Sequence, residues 1–168
     1  QKRGPLLFRW RITMGNKRYL KNKAIPLIQQ GVRLRKLYGS LIDSISISKS
    51  ELVCIMHLQP SEHSDTYTVK IIYKISDVSP KAWLIAPNLK TVGGKKPHHI
   101  YEEDEAGHCR LCVYDPKLKE WNQQMFIAES FVPWICTWLN TYEYWVITEE
   151  WHYDETIHSK GKTKKAGR

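Results

Sequence analysis

The sequence predicts an α+β domain, and three observations carry that prediction. An amphipathic run at 25–38 has the period of a helix. Short segments of alternating polarity follow between 44 and 85, separated by polar turns. A second apolar run, again with helical spacing, comes after an irregular segment at 88–122. Helices kept apart from a block of strands mark α+β, whereas alternation would mark a parallel sheet.

The elements follow in order. In 25–38, Leu27, Ile28, Val32, Leu34 and Tyr38 share roughly one face, with Arg33, Arg35 and Lys36 opposite. Pro26 suits the first turn of a helix and Gly39 its stop. Ser44 to Ser48 alternates Ile with Ser, and Leu52 to Leu58 is apolar and β-rich. Thr66 to Ile75 puts Tyr67, Val69, Ile71 and Tyr73 on one side, and Ala82 to Ile85 lies between two prolines. The expectation is a four-stranded antiparallel meander. From Met125 through Ile127, Ala128, Phe131, Val132, Ile135, Trp138 and Leu139 towards Trp145, the spacing predicts one long buried helix of about six turns. Pro133 is expected to kink or split it.

Composition limits the function. The chain has 168 residues, 42% hydrophobic and 26% charged, which supports one packed domain and excludes global disorder. No apolar run reaches the length of a membrane span. Four cysteines in a chain of this length do not form a disulfide scaffold. A cytoplasmic location with reduced thiols is the expectation. The net charge of +9 belongs to the ends. Residues 1–42 hold eleven Lys/Arg and no acid, and 158–168 hold five more. The stretch 43–157 is left with ten basic and all seventeen acidic residues, a net of −7. Three parts result: a basic extension at 1–22, a domain at 23–157 and a basic tail at 158–168. Basic ends alone read no nucleic-acid sequence, and the acidic middle argues against a nucleic-acid partner.

The irregular segment concentrates the reactive side chains. It runs Pro97-His98-His99-Ile100-Tyr101, an acidic turn, Gly107, His108-Cys109, Leu111-Cys112-Val113-Tyr114-Asp115 and Trp121. Long irregular stretches inside compact domains are usually functional. Three chemistries compete. A zinc site would use Cys109-x-x-Cys112 and nearby His, but a closed site needs a second ligand pair and the sequence has none. A thioredoxin-style redox pair needs a helix N-terminus after a parallel strand, and Leu-Cys-Val-Tyr looks extended. A nucleophilic thiol at Cys112, with imidazoles nearby to donate hydrogen bonds, fits best. No metal or cofactor is expected. Val92-Gly93-Gly94-Lys95 is not a phosphate-binding loop, so the chain is not expected to adenylate a carboxylate. Cys54 and Cys136 read as core residues and Cys109 as a turn-edge thiol.

On these residues the chain resembles the ubiquitin-conjugating enzymes. That family has a His-Pro-Asn-Ile/Val-Tyr segment, a glycine turn, an Ile/Leu-Cys-Leu segment with the catalytic Cys, and a Trp about eight residues later. The matching residues here are Pro97 to Tyr101, Leu111-Cys112-Val113 and Trp121. The resemblance runs from about residue 25 to 150. It implies the UBC-like fold: N-terminal helix, meander, irregular active-site segment and long C-terminal helix. Trp134, Trp138-Leu139, Tyr142-Glu143, Trp145, Glu150-Trp151 and His158 are similar to the short prokaryotic members found in type II CBASS anti-phage systems.

The resemblance implies Cys112 as a thioester-forming nucleophile. The implied partner is a cGAS-like nucleotidyltransferase (CD-NTase), whose C-terminal tail would be the acyl donor. The acceptor would be a lysine-bearing protein. His99 stands where the family has Asn, which makes it an active-site candidate beside His98. Asp115 is a candidate for orienting the incoming amine, with a turn residue as the ordinary alternative. Tyr101 and Trp121 are expected to pack the active-site segment. The rival reading is a non-catalytic binding module on the same fold that regulates the nucleotidyltransferase.

Overall fold

A computed structural model of the protein describes residues 23–152. The extension at 1–22, the tail at 158–168 and the last five positions of the expected 23–157 domain lie outside them. Two α-helices and six β-strands are present among the described residues: α1 (Leu27–Tyr38), β1 (Ile42–Ile47), β2 (Glu51–Leu58), β3 (Tyr67–Lys74), β4 (Lys81–Ala86), β5 (Ile100–Glu103), β6 (Cys109–Leu111) and α2 (Phe131–Thr148). The strands form one antiparallel sheet in the order β1-β2-β3-β4-β6-β5.

Register follows from the alternation. Leu52, Cys54, Met56 and Leu58 of β2 lie opposite Tyr73, Ile71, Val69 and Tyr67 of β3. Ile71 then faces Ala82, which faces Leu111. All of these side chains are buried, so one face of the sheet is core from β2 to β6. A slip of one residue would turn the whole set to solvent, which is why the register is unique. The buried face of α2 (Phe131, Val132, Ile135, Trp138, Leu139, Tyr142, Trp145) joins the same core cluster.

The four-strand meander is as expected. The irregular segment adds β5 and β6, of four and three residues, which are too short to leave a periodic signal. Two glycines at positive φ, Gly93 (57°) and Gly94 (75°), form the turn between Val92 and Lys95.

Three expectations about the helices need correction. The face of α1 that packs is Leu27, Gln30, Gly31 and Leu34, while Ile28 and Val32 are each about three-fifths exposed. A Cβ on Gly31 would come within 2.3 Å of the Ile47 Cδ1 atom, so close approach to β1 selects this face over the more apolar one. Gly39 is the C-cap that ends α1, as expected, and its right-handed backbone leads into a short 3₁₀ turn. Finally, α2 begins at Phe131, six residues after Met125. Gln30 explains the late start. Its amide donates to the Met125 carbonyl and its carbonyl accepts from the Ile127 N–H, each at 2.9 Å. Backbone groups that a longer helix would have paired internally are thus satisfied by a side chain of α1. Pro133 falls in the first turn of α2, where its missing N–H costs little, so it neither kinks nor splits the helix.

Candidate active site

The site is built around the start of β5 and the end of β6, beside Trp134 and Trp138 of α2 and Trp151 beyond it. Cys109, Arg110 and Leu111 alternate in-out-in along β6. Cys109 and Leu111 therefore face the core, and Cys112, just past the strand, is half-buried on the outer side. Cys109 is 7% exposed, and its thiol meets the Glu103 carboxylate at 3.5 Å. Burial, then the hydrogen bond it donates to Glu103, pushes the Cys109 thiol up, away from thiolate character. The two cysteines therefore have separate surroundings. Cys54 is fully buried, and burial raises its pKa to about 11; burial also pushes the half-buried Cys136 thiol up.

The Cys112 thiol donates to the Tyr101 hydroxyl at 3.2 Å and approaches the Tyr114 carbonyl at 3.7 Å. Tyr101 reaches it because Ile100 pairs with Leu111, which places Tyr101 and Cys112 at the same end of the two strands. Desolvation, then the contact with Cys112, raises the Tyr101 phenol well above its ordinary range, so it keeps its proton. Arg110 lies over the Tyr101 ring, 4.5 Å from its centroid, and pairs with Glu102 at 2.8 Å. The Tyr114 ring stacks on Trp134 at 5.9 Å. Next to this pair lies a cavity of about 250 Å³, lined by Tyr101, Arg110, Tyr114, Lys81, Val78 and Phe131 among others.

His99 contributes through its backbone as well as its ring. Its carbonyl accepts the Cys112 N–H and the Trp138 indole N–H, both at 2.9 Å. Its φ is 55°, a left-handed conformation uncommon for a side chain of this size. The ring stacks on Trp151 at 5.7 Å with a 30° interplanar angle. Desolvation, then the neighbouring His98, lowers its pKa and favours the neutral imidazole. His98 is exposed and also meets Trp151, at 5.8 Å.

The remaining expected residues divide. Asp115 caps the 3₁₀ turn Pro116–Leu118, where one of its carboxylate oxygens accepts the Lys117 N–H at 2.8 Å. That is the turn alternative in physical form. Trp121 is 6% exposed and packs edge-on against Tyr73 at 5.2 Å, inside the core. Tyr114, Trp138 and Trp151 were not expected at the site. Their positions depend on how strands and helix end come together, which local spacing does not reveal.

No curated protein is significantly similar to the chain. The family model for type II CBASS E2 proteins matches residues 30–159, a range that includes α1 from Gln30, the whole sheet, Cys112 with its surroundings, and α2. No helix among the described residues is long and apolar enough to cross a membrane. With the match covering most of the chain, and the helix, antiparallel sheet and C-terminal helix arranged as in a UBC-like fold, the protein belongs to the type II CBASS E2 protein family.

Proposed function

We propose that the protein is an acyl carrier on Cys112. The thiolate adds to the C-terminal carbonyl carbon of a cGAS-like nucleotidyltransferase. The activating group on that carbonyl, or the residue beyond it, leaves with the electron pair and takes a proton. The product is a thioester. A lysine amine then attacks the thioester carbon, loses its proton and expels the Cys112 thiolate, giving an isopeptide. Membership in a family of CBASS E2 proteins supports the class of chemistry and the setting.

The observation that carries the reading is the pairing of a half-buried Cys112 with Tyr101 at 3.2 Å. A phenol that keeps its proton can turn its O–H towards the sulfur once the thiol ionises, and so hold the nucleophile in place. The cavity beside Tyr101 and Tyr114 gives the donor's last residues a place to lie. Asp115 and the His98 and His99 imidazoles flank the thiol in sequence, and in this reading His99 acts chiefly through its carbonyl, which holds the Cys112 N–H.

The test is intact mass, without reductant, of the protein co-expressed with the nucleotidyltransferase. Wild type should carry a thiol-labile adduct of the partner's mass, Cys112→Ser an alkali-labile one, and Cys112→Ala none. A stable non-covalent complex in all three, with no adduct in any, would replace the enzyme by a regulatory binding module.

A further inference from the structure

The active-site bend is strained. His99 has a β-carbon and sits at φ 55°, a costly conformation for such a residue that persists only where its surroundings enforce it. Two neighbours enforce it. Trp138, fully buried in α2, donates its indole N–H to the His99 carbonyl. Trp151 lies against both imidazoles, at 5.7 Å from the His99 ring and 5.8 Å from the His98 ring. The same carbonyl holds the Cys112 N–H, so a relaxation of His99 towards extended backbone would swing away the oxygen that anchors Cys112.

Trp151 reaches this place by a reversal of the chain. Glu149 adopts φ 63° as the C-cap of α2, and its N–H closes on the Trp145 carbonyl at 2.8 Å. The Glu150 N–H then bonds the Thr148 hydroxyl at 3.2 Å. The turn lays Trp151 against Trp138 at 5.5 Å and Trp145 at 6.2 Å, in addition to the two imidazoles. Its indole N–H is buried without a hydrogen-bond partner among the described residues. Ring contact, and not a hydrogen bond, therefore holds it there.

We infer that Trp151 is a positioning residue for Cys112: by capping His98 and His99 it locks the bend whose carbonyl holds the Cys112 backbone. This rests on Cys112 being the reactive thiol, and it adds a group outside the active-site segment to that reading.

The experiment uses the full chain with Trp151→Ala, Trp151→Leu and Trp151→Phe. Leu keeps most of the apolar volume without a ring, so it serves if Ala fails to fold. Three quantities are read: the ring-current shift of the His99 imidazole protons, hydrogen exchange of the Cys112 amide, and the rate of Cys112 alkylation by iodoacetamide. In Leu or Ala the ring-current shift should vanish, the Cys112 amide should exchange about tenfold faster, and the alkylation rate should change by a factor of several. Phe should restore all three in large part. Unchanged Cys112 exchange and alkylation in a folded Leu variant would overturn the inference, as would a Phe variant that behaves like Leu. None of these readouts needs the nucleotidyltransferase. Failure of the acyl-carrier reading appears separately, as a wild type with no adduct on co-expression.

Discussion

At the scale of single residues, the contact between Tyr101 and Cys112 makes a sharp demand. Tyr101→Phe keeps the ring under Arg110 and removes only the hydroxyl that meets the sulfur. A hydrogen bond to a charged group contributes on the order of 1.5–3 kcal/mol, so at fixed pH the alkylation of Cys112 should slow by roughly tenfold or more. Rates taken with iodoacetamide, with Cys109 protected by its burial, decide it. An unchanged rate would leave Tyr101 as a packing residue, as its place in the sequence first indicates. Cys112 was legible as a candidate: an apolar-flanked thiol after a His-rich segment is the pattern expected of a nucleophile, and the co-expression test decides its reactivity. Its partner was only half legible. Tyr101 was expected to pack, and only the pairing of Ile100 with Leu111 brings its hydroxyl to the sulfur.

At the scale of elements, the decisive joint lies between α1 and the segment ahead of α2. Gln30 is fully buried and serves the Met125 carbonyl and the Ile127 N–H with one side chain. Gln30→Ala leaves both backbone groups buried without that partner and should lower stability by about 1–3 kcal/mol. Urea unfolding should register this as a shift in midpoint at constant slope. No shift would mean that water replaces the amide without loss. This joint also explains why helix boundaries were poorly legible. The spacing from Met125 to Phe131 is helical, but a backbone paired by a distant side chain has no need of a helix. The packed face of α1 differs from its most apolar face for a related reason. Hydrophobicity favours Ile28 and Val32, whereas the near contact of Gly31 with Ile47 admits only a small residue against β1.

At the scale of the whole molecule, the bend at His99 ties stability to pH. Its pKa is lowered, first by desolvation and then by His98. A group depressed on folding contributes stability that is intact above its unfolded value, about 6.5 for an imidazole, and is lost as pH falls through the folded value. The groups that face it or lie near it in the chain are His98, Trp151 and the segment Glu149 to His152, in which Glu150 pairs with His152 at 2.8 Å. Wild type should therefore lose stability between pH 7 and 5 more steeply than His99→Asn, which does not titrate there and tolerates positive φ. Parallel urea curves at the two pH values measure the difference, and equal slopes for the two proteins would contradict it. A longer-range tie runs through Glu143 of α2. Its carboxylate accepts from the Ser64 hydroxyl, the Asp65 N–H and the Tyr67 hydroxyl, which fastens the helix to the start of β3.

The class of fold, the meander and its buried face, the candidate thiol and the family resemblance were all legible in the sequence. These rest on periodicity and on short runs of residues, which are local properties of the chain. Tertiary structure alone decided the two extra strands, the start of α2, the outward side of α1 and the ring of Tyr101, Tyr114, Trp138 and Trp151 around Cys112 and His99. Those features depend on which distant groups satisfy a backbone donor or cover a strained bend. Such pairings span from about ten residues (Tyr101 with Cys112) to nearly a hundred (Gln30 with Ile127), and no local pattern encodes them.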